Sequence, residues 1–99
     1  MDADVEFCLK FLKGVMLRRL TPRRAFILLL TSREKAVRNG DVIKALRVSN
    51  SLITGDTKAL VDGGFMREKP SPKDEDGRHK LYELTRLGLS AVADLTTRS

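Results

Sequence analysis

Cysteine and histidine are almost absent from this sequence, with one of each, Cys8 and His79. A lone cysteine cannot form an internal disulfide, so the chain does not read as a disulfide-stapled secreted domain, and a cytoplasmic location is expected. One histidine and one cysteine cannot assemble a metal cluster of usual ligand spacing either. Long apolar runs are missing too. The longest, Ala25 to Leu30, falls far short of the ~20 residues needed to cross a bilayer, so the chain is not expected to span a membrane. Asp2, Asp4 and Glu6 stand where a secretory signal needs a basic start, and no targeting signal is expected. No Gly-rich phosphate loop follows a strand-like run. The acidic run Asp74-Glu75-Asp76 reads as solvated surface, because it lacks the buried setting that tunes an acid and a base apart. The chain is not expected to be an enzyme, and no cofactor is expected.

What is present is positive charge. Lys and Arg number 19 against 13 Asp and Glu, for a net charge of +6 and a pI near 9.9. That excess favours a polyanionic partner, nucleic acid or an anionic membrane surface, without choosing between them. The content of 41% hydrophobic and 32% charged residues is that of a globular chain and argues against disorder. Ninety-nine residues make one domain, residues 1–99, with one modest core.

From Asp4 to Leu20 the apolar residues Val5, Cys8, Phe11, Leu12, Val15 and Met16 recur at helical spacing and predict a first helix. Phe7 and Leu9 lie outside that stripe, so the helix is apolar over more of its circumference than one small core requires. Either a partner helix or the domain's own core takes the surplus. Cys8, among apolar neighbours, reads as an inert core cysteine, since a reactive thiolate wants cationic surroundings, with a redox sensor as the alternative. Thr21-Pro22 is a helix-start signature. It opens a second helix whose near-continuous hydrophobicity, through Leu30, marks it as the central core helix. Arg33 to Asn39 reads as a polar connector, and a short third helix follows from Asp41 to Arg47.

Ser49 is a candidate N-cap for a fourth helix from Asn50 to Asp62. Its apolar stripe is thin, and small polar residues fill its first turns, a surface suited to phosphates and base edges. Asp56 in its middle opposes that reading, and an ordinary solvated face is the bland alternative. Gly63 and Gly64 stop the helix, Gly63 being the expected left-handed cap. Phe65–Lys69 and His79–Leu84 predict two strands joined by a polar tip, together a wing over residues 64–84. Arg67, Lys69, Lys73, Arg78 and Lys80 concentrate cations on this hairpin, and Asp76 is positioned to orient Arg78. Thr85 then caps a last helix, residues 86–96, which also has apolar area to spare. The two terminal helices, 4–20 and 86–96, form a candidate dimerisation module, with Phe7, Phe11, Val15, Leu89 and Val92 as its expected contacts. The fold class expected is mainly α with a small β-hairpin (α+β), a winged helix-turn-helix.

Several stretches, in this order, resemble the MarR family of bacterial winged-helix transcription regulators. They are Leu20-Thr21-Pro22, Leu46-Arg47-Val48-Ser49-Asn50-Ser51, Gly64-Phe65-Met66-Arg67, Asp76-Gly77-Arg78, and Leu84-Thr85-Arg86-Leu87-Gly88. The similarity covers Leu20 to Leu95. It implies a homodimer on a pseudo-palindromic operator in double-stranded DNA, with a recognition helix in each major groove and Arg78 of each wing in the minor groove. By the same resemblance, recognition falls to Asn50, Ser51, Leu52, Thr54, Gly55 and Lys58. Gly55 stands where relatives often carry a longer polar or basic residue, and Asp56 and Thr57 where they are commonly apolar, which puts base readout by this helix in doubt. The chain ends where typical members continue into a further long helix, and with it part of the cleft for small phenolic effectors, so no such effector is expected. A winged-helix module that contacts protein without sequence-specific DNA binding is the alternative reading.

Overall fold

Two hydroxyl caps set the helical frame. The Arg24 amide donates to Thr21 Oγ1 (3.2 Å) where helix α2 (Pro22–Glu34) begins, with Pro22 in the first turn. The Leu52 amide donates to Ser49 Oγ (3.4 Å) at the start of α4 (Asn50–Asp62). The computed structural model describes residues 3–69 and 80–96. Around those two helices it arranges α1 (Ala3–Leu17), β1 (Val37–Arg38), α3 (Asn39–Leu46), β2 (Met66–Lys69), β3 (Leu81–Leu84) and α5 (Arg86–Thr96). The strands form an antiparallel sheet in the order β1-β3-β2, with Val37 opposite Tyr82, Arg67 opposite Glu83 and Met66 opposite Leu84.

Helix α2 is central, as its hydrophobicity predicts. Ala25, Ile27, Leu28 and Leu30 are buried on it, and it touches α4, α5, β1 and β3. Val37, Val42, Ile53, Leu60, Met66, Ala91 and Leu95 close the same core. Burying these side chains is the main source of stability, at about 1.5–3 kcal/mol for each large one before the entropy of ordering the chain is set against it.

Several boundaries and faces differ from the sequence reading. Helix α1 ends at Leu17 rather than Leu20; Arg19 takes a left-handed φ of 55°, and Leu20 folds back into the core with its amide on the Val15 carbonyl (3.0 Å). The inward face of α1 is built by Phe11 and Val15, while Val5, Cys8, Leu9, Leu12 and Met16 are exposed. Cys8 is therefore a surface cysteine, and the expectation of a core one fails. The connector holds a strand, β1, whose two residues owe their extended form to pairing with β3. Helix α3 begins at Asn39, two residues early, because the Asp41 carboxylate accepts the Arg38 amide (2.9 Å). The left-handed glycine is Gly64 (φ 85°), with Gly63 still right-handed.

The entry to α5 ties the hairpin to the core. The Thr85 amide donates to the Phe65 carbonyl (3.1 Å), Thr85 Oγ1 donates to the Gly64 carbonyl, and the Gly88 amide donates to Thr85 Oγ1 (3.2 Å). Gly88 lies so close to the chain entering β2 that an added Cβ would sit 2.1 Å from the Phe65 carbonyl oxygen. Threonine and glycine at this spacing hold the root of β2 against the first turn of α5.

Candidate nucleic-acid interface

Helix α4 has two unlike sides. Ile53, Asp56, Thr57 and Leu60 are buried against α2 and α3. At 100° per residue the opposite side carries Ser51, Thr54, Gly55 and Lys58, with Asn50 and Leu52 on its flanks, and all six are exposed. These are the six helix residues that the sequence singled out, and they form one surface. Thr54 Oγ1 lies 3.5 Å from Asn50 Oδ1 and Ser49 Oγ 3.3 Å from Ser51 Oγ, contacts at the long limit that an incoming partner can replace. Nothing lies within 4 Å of a Cβ added to Gly55. The glycine is not demanded by packing within the chain, and it leaves bare backbone at the centre of the face.

Asp56, the residue that opposed a nucleic-acid reading, points the other way. It is 2% exposed and accepts hydrogen bonds from two arginines in the first turn of α2. Arg23 Nε and Nη2 (the latter at 3.4 Å) and Arg24 Nε (3.1 Å) donate to its carboxylate. Burial alone would raise the Asp56 pKa, but the hydrogen bonds from Arg23 and Arg24 and the attraction of their charges outweigh it, and the carboxyl is held below the usual aspartate value. The Arg23 guanidinium, hydrogen-bonded to Asp56, is held above its ordinary value. Thr57 is satisfied similarly, donating to Asn39 Oδ1 of α3 (2.8 Å). The two polar residues that stand where apolar ones are commonly found thus dock α4 on its neighbours by hydrogen bonds. No buried side-chain nitrogen or oxygen among the described residues lacks a partner.

On the hairpin, Arg67, Lys69 and Lys80 are exposed. Arg67 Nε donates to Glu83 Oε2 across the strands (2.8 Å), an exposed pair of small energetic weight. Lys73, Asp76 and Arg78 lie outside the described residues. At the other end of the molecule, Val15 and Val92 are buried in the chain's own core, which overturns their expected place on a dimerisation surface. Phe7 and Phe11 are half-buried, and Leu89 is 58% exposed. No group of three potential ligands among the described residues could hold a metal ion, and no helix of theirs is long and apolar enough to cross a membrane.

Arg23 and Arg24 were missed in the sequence, yet they left a signal. Two cations in the first turn of a helix with no acid beside them oppose the helix dipole. Such a turn calls for a carboxylate from elsewhere in the chain, and the out-of-place Asp56 is that carboxylate.

No family model and no curated protein matches the sequence. Solved structures do. A MepR variant from S. aureus bound to oligodeoxyribonucleotide aligns with a TM-score of 0.82 at 18% identity, covering 94% of this chain and 67% of that one. A MarR variant from E. coli complexed with operator DNA aligns at 0.74 and 18%, covering 94% and 65%. The adhesin competence repressor AdcR from Streptococcus pyogenes aligns at 0.70 and 28%, covering 93% and 70%. The chain spans about two thirds of the length of these structures. With α3 and α4 as the helix-turn-helix and β2–β3 as the hairpin, the chain has the winged-helix fold of these MarR-type regulator structures.

Proposed function

We propose that the protein is a cytoplasmic DNA-binding transcription regulator of the MarR type, with the outward face of α4 in the major groove and the hairpin in the minor groove. One observation carries this reading. The exposed side of α4 is mostly small and polar with one cation, Lys58, interrupted by Leu52 on its flank and by Asp62 in the last turn, and the acid in the middle of the helix, Asp56, is turned inward and paired. The reading agrees with the MepR and MarR structures that hold DNA. Lys69, Lys80 and, in the segment between the strands, Lys73 and Arg78 would add phosphate and minor-groove contacts. No small-molecule effector is part of this reading.

Gly55 offers a test in which stability and binding move in opposite directions. Gly55→Ala should stabilise the helix by up to ~1 kcal/mol, because its Cβ meets nothing in the chain. The same methyl group stands at the centre of the face pressed to DNA, and duplex binding should weaken by about tenfold, ~1.4 kcal/mol. Thermal melting and gel-shift titration read the two effects. Unchanged binding would take this face out of the interface.

The active species in this proposal is a homodimer whose two-fold axis sets half-sites ~34 Å apart. Support comes from the apolar stripe of Val5, Leu9, Leu12 and Met16, four exposed residues on one side of α1. Sedimentation equilibrium should find a dimer at micromolar concentration. The Leu9→Glu, Met16→Glu variant should become monomeric with an unaltered melting profile for the fold, and a wild-type monomer would contradict the proposal. A module that contacts another protein through this stripe, without binding DNA, is the second reading.

A further inference from the structure

We propose that Arg23 and Arg24 form a phosphate clamp, oriented by Asp56, that takes a backbone phosphate of duplex DNA beside the α4 face. The clamp rests on the DNA-binding reading above and adds a contact from a different helix.

Its first support is a surplus of cation. One buried carboxylate needs one cation, yet two guanidiniums converge on Asp56, so the cluster keeps a unit of positive charge. Both arginines sit in the first turn of α2, where the helix dipole disfavours them. A purely structural ion pair would be better served by one arginine and a neutral neighbour.

The second support is accessibility. The Arg23 and Arg24 side chains are 37% and 35% exposed while that of Asp56 is 3% exposed. An approaching anion meets the guanidiniums and not the acid behind them. Each guanidinium carries five N–H donors, and Asp56 engages three of the ten in total. The remaining donors include those of Arg24 beyond its Nε, and a guanidinium fork matches phosphate oxygens.

The third support is placement and rigidity. Asp56 is on the inward side of α4, about 100° around the helix from Gly55, so the arginines that reach it from the first turn of α2 stand beside the helix and not on its outward face. A helix lying in the major groove has a phosphate backbone along each side, and phosphate contacts are what fix its register. Because Asp56 already holds the arginine side chains, much of their rotamer entropy is lost before DNA arrives, and less is lost on binding.

The test measures duplex affinity against salt for the full chain, with thermal melting alongside. Arg24→Gln leaves Arg23 to pair Asp56 and should make the negative slope of log affinity against log salt shallower by about 0.9, the value for one phosphate contact. Binding at low salt should weaken about five- to tenfold, and Arg24→Lys, which keeps the charge, should retain the slope. An unchanged slope in a folded Arg24→Gln variant overturns the clamp. If that variant fails to fold, the same substitution in an Asp56→Asn background leaves no buried acid unpaired. The slope there should again become shallower by about 0.9 relative to Asp56→Asn alone, and an equal slope overturns the proposal. Wild-type protein that shows no salt-dependent duplex binding would sink the DNA-binding reading itself, whereas steep wild-type binding with an unaltered Arg24→Gln slope would sink only the clamp.

Discussion

Replacing Arg23 and Arg24 together by alanine is expected to destabilise the fold strongly, because it leaves the inward-facing Asp56 carboxylate without its partners. Replacing Asp56 by asparagine should cost only about 1–2 kcal/mol, because the amide oxygen still accepts a hydrogen bond and the half-exposed arginines can turn to water. The asymmetry follows from burial: the acid is inside and the cations are at the rim. Urea unfolding of the three proteins at neutral pH measures it. The acid dependence has a definite sign. With its folded pKa below the usual aspartate value, Asp56 contributes stability that is complete above that value and is lost as pH falls through the lower, folded one. The gap between wild type and the double variant should therefore be widest near neutrality and close below about pH 4. A double variant as stable as wild type at neutral pH would mean that the cluster does not dock α4.

The second large effect is expected at Gly88. Alanine is a better helix former than glycine by about 1 kcal/mol, so an unconstrained helical site would gain from Gly88→Ala. Here the new Cβ would stand 2.1 Å from the Phe65 carbonyl oxygen and 3.1 Å from Leu84 Cδ2. One of those neighbours is backbone, and relief requires moving α5 away from the root of β2. Overpacking of this kind typically costs 1–3 kcal/mol, and backbone involvement puts the expected loss near the top, at about 2–3 kcal/mol. Denaturant unfolding decides the matter, and a stabilised Gly88→Ala protein would refute the close approach. Gly55→Ala, also inside a helix, is expected to change stability in the opposite direction, so the pair separates packing from propensity within one chain.

Features written in short-range chemistry were legible in the sequence. Thr21-Pro22 and Ser49 started helices where cap chemistry says they should, and α4 ends at Asp62 as read. The helix, hairpin, helix order around the wing emerged the same way. What needed tertiary structure was not legible. The strand β1 is two residues long and exists because β3 offers a pairing edge. The α1 helix is apolar on two sides, so periodicity alone could not say which side packs on the core. The stripe chosen joined Val15, which is buried, to Val5, Cys8, Leu12 and Met16, which are exposed. Val92 was misplaced for the same reason on α5. Asp56 was misread most usefully. An acid within a polar helix reads locally as a solvated residue that repels phosphate, and only its pairing with α2, more than thirty residues earlier, reverses that meaning.

The central claim is that the outward face of α4 and the cations around it bind duplex DNA. Wild-type affinity for duplex, measured across a range of salt concentrations, tests it most directly. Each neutralised phosphate releases counterions, so log affinity should fall linearly with log salt at a slope of about −0.9 per contact, several contacts together losing a hundredfold or more between ~50 and ~200 mM salt. A flat response, or no binding at low salt, would contradict the account and leave the winged helix as a module for protein contacts.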